Sequence, residues 1–182
     1  MPDEDTLFNL LNALHSFNDK LRKATRHDLF GSINFQALKA LRNLLHHESE
    51  LMNRVKVVRV DSSTPLESDL MALCLIHRQT VLDALDRDLE NTKQRQRRDG
   101  ILGAFKWCGP IANINPCVFN CAAEVFEAVR QTDITPTCPE FREFEASYQF
   151  EEEHGYPHRV TGDIRCLAGD ASETVRQLFE TE

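Results

Sequence analysis

The chain has 182 residues, 41% of them hydrophobic and 27% charged, with seven glycines and seven prolines, a globular balance that suits one sizeable core and excludes a fibrous or disordered chain. The formal net charge is −8, so a nucleic acid would have to meet a local basic patch against the field of the whole molecule. No apolar run approaches the roughly 20 residues that span a bilayer, and the acidic start MPDEDTLFNLL lacks the basic end and apolar centre of a signal peptide.

Leu7, Leu10, Leu11, Leu14, Phe17 and Leu21 recur every three or four residues and predict an amphipathic helix over 5–24. After a loop with His27, Asp28 and Gly31, a second helix is expected over about 34–54, its apolar stripe formed by Leu38, Leu41, Leu45, Met52 and Val55. VKVVRV (55–60) reads as a short strand or as the end of that helix. Thr64, Pro65 and Glu67 suit an N-cap, a first turn and a capping box. They open an expected long helix over 65–98, with Leu66, Leu70, Leu73, Cys74, Val81, Leu85 and Leu89 on one side, His77 among them, and KQRQRR (93–98) at a cation-favouring C-terminus. FKWCGPIANINP (105–116) reads as a loop, and Asn115-Pro116 opens another helix. TDITPTCP (132–139) reads as a loop. PEFREFEASYQFEEEHG (139–155) reads as an acidic helix packed through Phe141, Phe144 and Tyr148. Near the end, Asp170 and Glu173 form a possible capping box. The expected fold is all-α with little or no strand: a helical bundle over 1–100 and a helical C-terminal extension over 101–182.

The second helix carries RNLLHHESELMNR (42–54), in which Arg42, Asn43, His46, His47, Glu50, Asn53 and Arg54 lie opposite the apolar stripe. Arginine offers a permanent charge and a planar fork that matches phosphate oxygens. Histidine gives and takes a proton near neutral pH. Those are the parts a metal-free ribonuclease needs: a base for the 2′-hydroxyl, a cation for the charge on phosphorus, and an acid for the leaving 5′-oxygen. Arg42 and His46 are four apart and share a face. Arg42 and His47 stand about 140° apart on an unbroken helix, so a kink or a second copy of the chain would have to bring them together.

This stretch resembles the R-x4-6-H motif of HEPN domains. It is similar above all to their Abi-like (abortive-infection) branch, whose pattern reads close to RNxCAHHxRLWNR. Arg42-Asn43 match its RN and His47 its first His. Ser49, Leu51, Asn53 and Arg54 fall into register, Glu48 stands at its second His and His46 at its Ala. The resemblance implies a helical, dimeric HEPN-like bundle, either permuted or rebuilt by the long helix at 65–98 because the motif comes early, and a metal-independent ribonuclease leaving 2′,3′-cyclic phosphate ends in phage defence or a toxin–antitoxin pair. It assigns His47 as general acid/base, Arg42 as phosphate stabiliser and Asn43 as orienting group, with His46 as a further candidate. The expected partners are a second copy, an RNA substrate and a protein antitoxin or neighbouring-gene product, with no membrane and no cofactor. The alternative is a non-catalytic dimeric interaction module that binds a protein or nucleotide.

Lys93, Arg95, Arg97 and Arg98, with Arg54, are the candidate RNA-backbone contacts. Cys117-x3-Cys121 and His154-x3-His158 have spacings that zinc could use, although small buried thiols are the commoner reading. His15 and Ser16 are adjacent without an evident acidic third member, so a hydrolase triad is not expected. The six cysteines are irregularly spaced. A cytoplasmic protein with reduced thiols is the corresponding expectation.

Overall fold

The computed structural model describes residues 4–47, 55–88 and 98–180. The all-α expectation is overturned: helices flank a four-stranded antiparallel sheet, and two further strands form a separate ribbon.

In chain order the elements are α1 (Glu4–Thr25), α2 (Ile33–His47), β1 (Val55–Arg59), β2 (Leu66–Ser68), β3 (Ala72–His77), α3 (Arg78–Asp88), α4 (Arg98–Gly103), β4 (Lys106–Cys108), β5 (Ile111–Asn113), α5 (Asn115–Arg130), α6 (Pro139–His154), β6 (Ile164–Cys166) and α7 (Ala171–Glu180). The sheet order is β1-β3-β5-β4, and β2 pairs with β6. β4 and β5, from the second half of the chain, thus complete a sheet begun by β1 and β3.

The expected helix over 65–98 begins instead as two strands. Leu73 and Leu75 face one core, with Val58, Ile111 and Val175, while Ile76 faces the other, with Leu38, Val81 and Ala112. β3 is an inner strand covered on both faces, so its run ALCLI is apolar throughout, and such a run does not separate strand from helix by periodicity. The chain turns helical only at Arg78, and residues 89–97 lie outside the described residues. His77 closes β3 with its ring edge-on to Phe179, at 4.7 Å between centroids. The expected loop at 105–116 is a hairpin: Cys108 pairs with Ile111 across Gly109-Pro110. Gly109 has φ +58, a conformation that glycine supplies at the first position of a two-residue hairpin turn. Val55–Arg59 is a strand, pairing along its length with β3.

The larger core lies between one sheet face and α1–α5, and α2 passes through its centre with Phe35, Ala37, Leu38, Ala40, Leu41, Leu44 and Leu45 buried. On the other face α7 packs over β1 and β4. Asp170 caps α7, its carboxylate accepting from the Ser172 N–H at 2.9 Å. On the outside, α6 has no buried residue. It is held by Phe141, Phe144 and Tyr148, whose rings gather on Phe126 of α5 at 5.1, 5.1 and 4.9 Å. No helix among the described residues is long and apolar enough to cross a membrane.

Candidate functional site

α1 and α2 form a helical hairpin. Asn18 of α1 takes the Leu29 N–H on its Oδ1 at 2.7 Å, and Asn12, further back, takes the Arg42 Nε–H at 3.0 Å. The two contacts run in opposite chain order, so the helices are antiparallel. Leu7, Leu11 and Leu21 of α1 are buried. With so much of α2 in the core, a narrow strip of it reaches the surface: Gln36, Lys39, Arg42 and Asn43, all half-buried. The spacing of three and four along that strip is the face that α1 and the core leave open.

Arg42 is held by amides. Besides Asn12, its Nη1–H donates to Asn43 Oδ1 at 3.2 Å. Its other N–H donors have no acceptor, and no carboxylate lies within ion-pair distance, among the described residues. Other arginines are used differently. Arg98 donates from Nε and Nη2 to Asp86 at 3.2 and 2.7 Å, Arg159 pairs with Glu127 at 2.7 Å, and Arg176 pairs with Glu173 and Glu180 at 2.6 Å each. Arg78 lies over Trp107 at 5.0 Å, and Arg130 over Tyr148 at 5.6 Å. Arg42 therefore combines an oriented guanidinium, a half-buried place and, among the described residues, an uncompensated charge, which is the arrangement that recruits an anion.

α2 continues as regular helix to His47. By helical register His46 is one turn beyond Arg42 on the same strip, and His47 stands about 140° round the axis. Within one chain the backbone thus places His46 one turn beyond Arg42 and His47 one turn beyond Asn43, with no kink that would turn His47 toward Arg42 itself. The side chains of His46 and His47, and the whole of Arg54, Lys93, Arg95 and Arg97, lie outside the described residues. Arg98 does not end a long helix; it opens α4 and is engaged by Asp86.

Two parts of the surface groove along the α1–α2 seam were missed from sequence. Asn12 is a tertiary partner, and only the fold reveals it. His15 has an acidic neighbour: Asp19 Oδ2 lies 3.6 Å from His15 Nδ1, one turn on along α1. Spacing alone could have found it.

The thiols considered for zinc are core groups. Cys117 and Cys121 are buried, and the Cys117 thiol donates to the Asn34 carbonyl at 3.3 Å. Burial pushes the Cys117 thiol well above its ordinary range and that of Cys121 up to about 12. His154 Nδ1 sits 2.7 Å from the Phe150 carbonyl and His158 Nδ1 2.9 Å from Glu151 Oε2. No group of three or more His, Cys, Asp or Glu side chains among the described residues is placed to hold a metal ion.

A second polar cluster ties α6 to α5. Tyr148 Oη–H and Arg159 Nη2–H donate to the two oxygens of Glu127 at 2.9 and 2.7 Å, and His158 stacks on Tyr148 at 3.6 Å. The Arg159 hydrogen bond, then that from Tyr148, holds the Glu127 carboxyl below the usual carboxylate range against the opposing effect of burial. These hydrogen bonds and the ring stacking pair the groups of the cluster with one another, so it reads as a clamp.

No known family model matches the chain, and no curated protein or solved structure matches it significantly.

Proposed function

We propose that the groove between α1 and α2 binds an RNA phosphodiester and cleaves it by transphosphorylation, leaving 2′,3′-cyclic phosphate and 5′-hydroxyl ends. The observation that carries this reading is Arg42: a half-buried guanidinium fixed by Asn12 and Asn43 through neutral oxygens, with no carboxylate beside it among the described residues. The planar fork of an arginine matches phosphate oxygens, and with a net charge of −8 anion binding depends on such local positive charge.

In this reading Arg42 stabilises the charge that grows on the phosphate, Asn43 orients it, and a histidine of the α2 terminus moves the proton. His46 is one turn from Arg42. His47 reaches the same phosphate when a second copy of the chain supplies it across a dimer axis. The likeness to HEPN sites concerns residues 42–54 and their chemistry; the surrounding sheet is not a HEPN bundle.

Expression in cells tests the reading together with its biology. Growth arrest relieved by Arg42→Ala and by His47→Ala, with cyclic-phosphate ends accumulating on cellular RNA, is the expected outcome. Normal growth together with a stable complex with a neighbouring-gene product would instead favour the non-catalytic interaction module.

A further inference from the structure

Transphosphorylation needs two proton transfers, one from the 2′-hydroxyl and one to the leaving 5′-oxygen. In the proposed reading of the groove, the α2 terminus carries one. We infer that His15 of α1 supplies the other, with Asp19 as its positioning residue; this rests on the reading of the groove given above.

Asn12, His15 and Asp19 follow one another at spacings of three and four, so they share one stripe of α1. That stripe flanks Arg42, because Asn12 is the residue whose oxygen receives the Arg42 Nε–H at 3.0 Å. The His15 side chain keeps 28% of its surface and Asp19 40%, so both are accessible to solvent. Nδ1 is the nitrogen 3.6 Å from Asp19, leaving Nε2 on the opposite edge of the ring for substrate. Asp19 has a second charged neighbour on its own helix, Arg22 at 3.9 Å, and across the groove on α2 the stripe meets Arg42.

The antiparallel pairing fixes the order along the groove. His15 is three residues from Asn12 toward the α1 C-terminus, an axial offset of about 4.5 Å from the Arg42 level. His46 and His47 are four and five residues from Arg42 in the opposite direction, offsets of about 6 and 7.5 Å. Along the axis, the Arg42 level therefore lies between the backbone positions of His15 and of the α2 terminus, the opposed order that an in-line displacement uses. The α2 histidine takes the 2′-hydroxyl proton, the 2′-oxygen bonds to phosphorus, the bond from phosphorus to the 5′-oxygen breaks, and His15 Nε2–H protonates that oxygen. A later proton exchange with water resets both rings, and no further reactant is consumed.

The test compares wild-type protein with His15→Ala, Asp19→Asn and Arg42→Ala on one oligoribonucleotide, in EDTA. A second substrate carries sulfur in place of the bridging 5′-oxygen, a leaving group that needs no proton. His15→Ala is expected to cleave the ordinary RNA at least about 100-fold more slowly, and Asp19→Asn about tenfold more slowly. His15→Ala should regain close to the wild-type rate on the sulfur-bridged substrate, while Arg42→Ala stays slow on both. Wild-type cleavage that His15→Ala retains, or a loss that the sulfur substrate does not repair, overturns the assignment of His15 and leaves the groove reading intact. Failure of folded wild-type protein to cleave either substrate overturns both.

Discussion

Replacing Asn12 by aspartate separates the fold's use of Arg42 from the site's use of it. The change puts a carboxylate where the amide oxygen accepts the Arg42 Nε–H at 3.0 Å. Position 12 is mid-helix in Glu4–Thr25, where Asn and Asp have similar propensity and neither caps nor meets the helix dipole. At a half-exposed place the new ion pair adds about 0.5–1 kcal/mol to stability. An anion on the far edge of the guanidinium would sit roughly 7 Å from that carboxylate, from the width of the group plus two hydrogen bonds. Coulomb's law at that distance, with an effective dielectric between about 20 and 80, gives repulsion of about 0.6–2.4 kcal/mol. Binding should therefore weaken by about 3- to 60-fold while the protein melts no lower than wild type. Fluorescence polarisation with a labelled oligoribonucleotide in EDTA, at two salt concentrations, reads the first quantity and a thermal melt the second. RNA binding by Asn12→Asp equal to or tighter than wild type would refute the placement of the anion on Arg42.

Three further outcomes follow from the packing and the charges. Phe126→Ala removes the 3%-exposed ring on which three aromatic side chains of α6 gather; a loss of about 3–5 kcal/mol and faster proteolysis within 131–138 are expected, and a loss below about 1 kcal/mol would contradict the clamp. Gly162 has φ +66, and an added Cβ would lie 2.0 Å from Pro116 Cγ, so Gly162→Ala should cost about 3 kcal/mol or more. Gly155 has φ +69 with open space around it, so Gly155→Ala should cost only the strain of about 1–2 kcal/mol; equal melting points for the two variants would be the wrong result. Arg159, and then Tyr148, hold the Glu127 carboxyl below its usual 4.5. A depressed acid contributes stability that is complete above that value and lost as pH falls through the lower, folded one. Denaturant titrations across pH 2–5 should show a shallower acid limb for Glu127→Gln, and an unchanged slope would contradict the assignment.

The parts of the fold that were legible in the sequence are those whose local signal agrees with their surroundings. α1 shows its period because one side faces the core and the other water. α6 declares its packing through Phe141, Phe144 and Tyr148, and α7 its start through Asp170. β2 and β3 were hidden because Leu66, Leu70 and Leu73 happen to fall at helical spacing, and because a strand covered on both faces has no alternation to read. The hairpin at Gly109-Pro110 looked like a loop because its strands are only three residues each.

In the candidate site, Arg42 and Asn43 could be singled out by residue type and by their place opposite an apolar stripe. Asn12 could not, since its role is a contact across thirty positions of chain. His15 and Asp19 stand between these cases. Their i, i+4 spacing is visible in the sequence, but such a pair is equally at home on a solvated helix face, and only the Asn12–Arg42 contact puts that face beside α2.

RNA cleavage by the purified protein in EDTA, beside Arg42→Ala and His47→Ala, tests the central claim most directly. Wild-type protein should produce 2′,3′-cyclic phosphate ends, and each variant should lose about 100-fold or more while remaining folded. Intact RNA from folded wild-type protein, or cleavage that Arg42→Ala retains, would contradict it.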